Sequence, residues 1–144
     1  MDQNLKNNIG GILYLIGLTG DEGFKFRIRL QKLILLSKLE EKFPFSFSYE
    51  SHYYGPYSVQ LQSMLDDLIS SGFVSEKIIS TGEDNSGFVY FLTQEGLKFS
   101  KKLSIQKGDL KKLDIIKTKY FNEPTDFIVR RAKRISGIKS ISEI

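Results

Sequence analysis

Two stretches of this chain hold residues whose types and spacing suit chemistry. The first is Ser51-His52-Tyr53-Tyr54-Gly55-Pro56-Tyr57-Ser58, which gathers the one histidine and three of the 7 tyrosines. An imidazole two residues from Glu50 is the start of a general base or a metal site. With no second histidine and no cysteine, a nucleophile, a base and an oxyanion donor cannot all be named. The expectation is therefore no catalysis, no metal and no cofactor. Pro56 fixes its own φ and steers Gly55 out of the helical region. Gly-Pro-Tyr-Ser thus reads as a sharp structural turn, in which Tyr54, Gly55, Pro56, Tyr57 and Ser58 form a corner closed by the tyrosine rings. Ser58 is placed to cap the helix that follows.

The second stretch is Ile128-Val-Arg-Arg-Ala-Lys-Arg-Ile-Ser-Gly-Ile-Lys139. On a helix over 125–136, Arg130, Arg131, Lys133 and Arg134 cover most of the polar side, and Phe127, Ile128 and Ile135 are available for the apolar side. Such a face neutralises phosphates, with Lys107, Lys111, Lys112, Lys117 and Lys119 in support. Base edges would be read by Gln60, Gln62 and Ser63, near the start of a helix over 58–71. The pattern points to duplex DNA. Against it, Asp66 and Asp67 share that helix, which carries no Lys or Arg, and Glu83 and Asp84 stand in the glycine-containing segment TGEDNSG. Those acids repel phosphate, and no P-loop lysine-serine pair follows.

The elements that must hold these residues follow from hydrophobic period. Leu5, Ile9, Ile12, Leu13 and Ile16 recur at helical spacing and predict a helix from about 5 to 18. In FRIRLQKLILLSKLEEKF, residues 26–43, an apolar band through Ile28, Leu33, Leu35, Leu36, Leu39 and Phe43 predicts a second helix. Arg29, Lys32, Glu40 and Glu41 lie largely outside that band, and Pro44 closes the helix. Phe45, Phe47 and Tyr49 alternate with serines, the period of a half-buried strand over 45–51. After the 58–71 helix, apolar residues at 73–79 and 88–92 predict a hairpin with TGEDNSG at its tip. Thr93 caps a helix running to Leu103, and helices over 107–120 and 125–136 meet at a corner marked by Asn122, Glu123 and Pro124.

The 144 residues suit one domain with a single core. Absence of cysteine and of any long apolar run fits a cytoplasmic protein that does not enter a membrane. The formal charge of +4 is uneven. Residues 1–97 carry 8 Lys/Arg and 12 Asp/Glu, and residues 98–144 carry 13 and 5. A basic end on an acidic body calls for an anionic partner, or for the body of a second copy. Leu110, Leu113, Ile115, Ile116 and Tyr120 offer the 107–120 helix either as ordinary core, the commoner role for apolar residues at that spacing, or as a homodimer element.

Helix, helix, helix and then a hairpin ending in Leu92-Thr93-Gln94-Glu95-Gly96 resembles the winged helix-turn-helix, whose wing is that hairpin. Arg29-Leu30-Gln31-Lys32-Leu33 and Tyr54-Gly55-Pro56-Tyr57-Ser58 together resemble signatures of winged-helix-like proteins related to the Panacea, or SocA-like, antitoxin domains. Arg29 stands where that pattern has lysine. The resemblance implies an α+β, mainly helical fold. A winged-helix domain with its N-terminal helix would span 1–103, and a basic helical extension, 104–144, would pack on it. It implies a DNA-binding transcription regulator, or a protein-binding antitoxin or adaptor module, and no enzyme.

Overall fold

The structure is a computed structural model that describes residues 1–80 and 86–144. The fold is α+β and mainly helical. Among the described residues six α-helices, α1 (Gln3–Gly17), α2 (Arg27–Glu41), α3 (Val59–Ser70), α4 (Gln94–Lys102), α5 (Lys107–Tyr120) and α6 (Thr125–Ser136), surround one hydrophobic core. Their ends follow local chemistry. Asp2, Ser58 and Thr93 each accept a hydrogen bond from a backbone N–H in the first turn of the helix they precede, at Leu5, Leu61 and Gly96. No described helix is long and apolar enough to cross a membrane.

Five strands among the described residues make two antiparallel sheets. β1 (Phe24–Lys25), β4 (Val74–Ser80) and β5 (Ser86–Leu92) are ordered β1-β5-β4, with Phe24 opposite Tyr90 and Glu76 opposite Tyr90 on its other side. β2 (Glu50–His52) and β3 (Gly55–Tyr57) form a separate small hairpin. The expected 73–92 hairpin is present as β4 and β5; residues 81–85 of its TGEDNSG tip, including Glu83 and Asp84, lie outside the described residues.

α1 is buried on nearly every side. Ile12, Leu13, Leu15 and Ile16 are inaccessible to solvent, and even Asn7 and Asn8 are buried. α2 runs beside α5 and α6, and its Leu30, Leu33, Ile34 and Leu36 are likewise sealed. The expected strand over 45–51 is corrected: only Glu50 and Ser51 pair, within β2. Phe43, Phe45 and Phe47 do alternate into the core with exposed serines. No neighbouring strand among the described residues pairs with them. The Ser46 N–H donates to Asn8 Oδ1 at 2.9 Å and the Ser48 N–H to Gln60 Oε1 at 2.8 Å. Side chains of α1 and α3 thus take the place of a ladder for these amides.

Packing bears on further expectations. Lys32 was placed outside the apolar band, yet it is only 2% exposed, because α2 is covered over more than one face. On α5, Leu113, Ile116 and Tyr120 of the apolar stripe are buried inside this chain, as core residues, while Ile115 is exposed. On α6 the buried apolar residues are Ile128 and Ala132, while Phe127 and Ile135 remain partly exposed.

Candidate functional site

The two segments that carry the sequence resemblance meet in space, 27 residues apart. The Gln31 side chain of α2 holds both backbone groups of Ser58. Its Nε2 donates to the Ser58 carbonyl at 2.9 Å, and its Oε1 accepts the Ser58 N–H at 2.8 Å, all within the core. Ser58 in turn caps α3 through its hydroxyl, 3.1 Å from the Leu61 N–H. One amide therefore fixes where α3 begins relative to α2. Lys32, next along α2, is also buried, and it makes no hydrogen bond or ion pair with the described residues. Burial pushes its ammonium down from 10.5 to about 8. Neither residue was singled out from sequence, although both lie inside the Leu-Gln-Lys-Leu segment.

The β2–β3 hairpin grows from this clamp. Its register pairs His52 with Gly55, so the connecting turn is Tyr53-Tyr54, and Gly55-Pro56-Tyr57 is a strand rather than the turn itself. The expectation that tyrosine rings close a corner holds for Tyr57, which stacks on His52 at 4.5 Å. The Tyr53 ring meets His52 edge-on with centres 5.2 Å apart, yet Tyr53 is 73% and Tyr54 62% exposed. Gly55 has φ +89°, and a β-carbon there would stand 2.6 Å from Cγ of Lys133 on α6. Since the lysine stem is flexible, the backbone sets the cost. Gly55→Ala should lower stability by about 1–2 kcal/mol, read as the shift of the urea midpoint. A change under about 0.5 kcal/mol would mean that this turn tolerates a side chain.

Several of the residues expected to touch nucleic acid are engaged by other groups of the chain. Gln60 accepts from Ser48, as above, and Gln62 donates to Asp66 Oδ1 at 3.0 Å. Lys112 bridges Asp109 at 2.9 Å and reaches the Lys42 carbonyl at 3.3 Å. Arg130 pairs with Asp126 one turn earlier, at 3.5 Å. Arg131 is committed inward. It grips Glu40 of α2 at 2.7 Å and donates to the Tyr120 hydroxyl at 3.2 Å, and Tyr120 bonds the same carboxylate. Burial acts to raise the Glu40 carboxyl, but the Tyr120 and Arg131 hydrogen bonds and the Lys119 charge outweigh it and hold it below the ordinary value. Lys133 pairs with Glu143 in the C-terminal turn. Ser63, Lys111 and Arg134 are exposed and unengaged by the described residues.

This arrangement leaves α3 with an acidic outer face. Asp66 and Asp67 are exposed and have no basic partner among the described residues. Val59, 60% exposed in the first turn of α3, lies two residues beyond β3. The site is therefore a small hairpin with an aromatic tip, anchored by buried hydrogen bonds and leading into an acidic helix.

A mainly helical α+β fold with such a hairpin is the class that the structure defines. No family model matches the chain. "Uncharacterized protein YwgA" of Bacillus subtilis (strain 168) is 34% identical to it over 88 residues, which are 59% of this chain and 50% of that protein. The match thus covers about half the length of the relative.

Proposed function

We propose that this chain is a regulatory module of winged helix-turn-helix type, not an enzyme, and that its partner is a protein, as in antitoxin or adaptor modules. The observation that carries this reading is the pair Tyr53 and Tyr54, exposed side by side on a two-residue turn. Large amphipathic rings on rigid backbone give much contact area at little conformational cost and are enriched at the centres of protein interfaces. The clamp at Ser58 and the His52–Tyr57 stack supply the rigidity. The acidic face of α3 suits a partner with basic side chains and repels a phosphate backbone.

The test uses the purified chain and a Tyr53→Ala/Tyr54→Ala variant. Because both rings are exposed, the variant should unfold within about 0.5 kcal/mol of wild type. It should lose co-purification of the cellular partner that wild type retains, and Asp66→Lys/Asp67→Lys should lose it as well. Equal recovery of the same partner by all three proteins would remove the hairpin and α3 from the reading.

One observation favours a second reading, duplex DNA binding from a cytoplasmic regulator. Lys101, Lys102, Lys107, Lys111 and Lys117 on α4 and α5 are exposed and unpaired among the described residues. Titration with random-sequence duplex across a salt series separates the two. The protein-partner reading expects no binding at physiological salt. Tight binding that falls steeply with salt, and that Lys107→Ala/Lys111→Ala weakens, would favour DNA instead.

A further inference from the structure

A cavity of about 480 Å3 lies between residues 18–26, the first turns of α2 and the α5–α6 corner. That volume is in the range of small-molecule sites. One wall is apolar: Leu33 and Phe24 are buried, and Phe121 meets Phe24 edge-on with ring centres 5.6 Å apart. Phe26 borders the same space with φ +76°, a left-handed value that a side-chain-bearing residue rarely holds. Strain of this kind gathers where a ligand or switch needs it.

Three cations from separate segments line the cavity: Lys25 of β1, Arg29 of α2 and Lys117 of α5. Arg29 is the informative one. Its guanidinium donates to the carbonyls of Glu123, Tyr120 and Phe121 and to the Thr125 hydroxyl, at 2.7–3.4 Å, so every partner is neutral. No carboxylate among the described residues offsets its charge, and burial lowers its pKa. Glu22 and Glu123 also line the cavity, so its lining residues carry one net positive charge.

We propose that this cavity binds a small organic anion with an apolar body, its carboxylate or similar group toward Arg29, Lys25 and Lys117 and its body between Phe26 and Phe121. The proposal does not rest on the protein-partner reading, since the cavity and the hairpin tip share no residue.

Amide chemical shifts of isotope-labelled protein test it, with 3-phenylpropanoate and 4-methylpentanoate as probes and 3-phenylpropanamide and 3-phenylpropylamine as matched neutral and cationic controls. The carboxylates should shift amides within 18–33 and 117–123, with the amide and the amine roughly tenfold weaker or worse. Lys25→Glu/Lys117→Glu changes only exposed side chains, so its spectrum elsewhere should match wild type while carboxylate affinity falls roughly tenfold. Glu22→Gln/Glu123→Gln should tighten binding severalfold. No shift with either carboxylate, an equal response to the amide, or shifts confined to other surfaces would overturn the assignment.

Discussion

Replacing Gln31 by methionine, which keeps the length of the side chain and removes both hydrogen bonds, should destabilise the chain by about 2 kcal/mol. The Ser58 carbonyl retains the Gln62 N–H at 3.2 Å. The Ser58 N–H has no other partner among the described residues and would be left buried and unsatisfied. Gln31→Ala adds a cavity and should cost about 3–4 kcal/mol. Ser58→Ala is the useful comparison. It deletes the helix cap, worth about 1 kcal/mol, but leaves the clamp in place because the clamp holds the Ser58 backbone. Urea unfolding with an unchanged slope should therefore rank Gln31→Ala below Gln31→Met, and Gln31→Met below Ser58→Ala. If Gln31→Met unfolds within about 0.5 kcal/mol of wild type, the contact between the two segments is incidental.

Lys32→Met should do the opposite. The folded chain gives up the Lys32 proton near pH 8, and the unfolded chain keeps it to about 10.5. Between those values the unfolded state binds more protons, so the contribution of this residue to stability rises with pH across the window. Below pH 8 the full cost of burying the ammonium applies, about 3 kcal/mol from the size of the shift. Methionine fills similar space without charge. The variant should be more stable than wild type by that amount at pH 7, and the gap should close by pH 10.5. Chemical denaturation of both proteins at several pH values isolates this residue, because every other titrating group is common to the two. Equal stability at pH 7 would show that the ammonium is solvated or paired.

The sequence carried the helices well because their ends are local chemistry. Ser58 and Thr93 cap from within one turn, and Pro124 with Asn122 and Glu123 marks a corner whatever packs on it. Partners across the chain were not legible. Period-2 burial at Phe43, Phe45 and Phe47 reports which side faces the core and says nothing of whether a strand lies alongside. The two-residue β1 is too short to leave a pattern. The basic run on α6 shows its charge, but Arg131 finds Glu40 from 91 positions away, a pairing no run of letters displays. Lys32 misled for a related reason: a helical band assumes one buried face, and α2 is enclosed by α5, α6 and β3. Of the candidate site, the Tyr-Gly-Pro-Tyr-Ser segment was recognisable, while the outward aim of Tyr53 and Tyr54 and the grip of Gln31 belonged to the fold.

Phe45-Ser-Phe-Ser-Tyr49 alternates aromatics with serines and carries no charge, a pattern that pairs readily as a strand. Left with open backbone groups it would recruit a matching strand from another molecule. Ser46 and Ser48, two residues apart, present their amides on one edge, and Asn8 and Gln60 occupy both. Pro44 supplies no amide at all. The polar side chains of two helices thus act as guards that keep a sticky segment from templating intermolecular pairing. Solubility during folding then depends on Asn8 and Gln60 arriving before a second chain does.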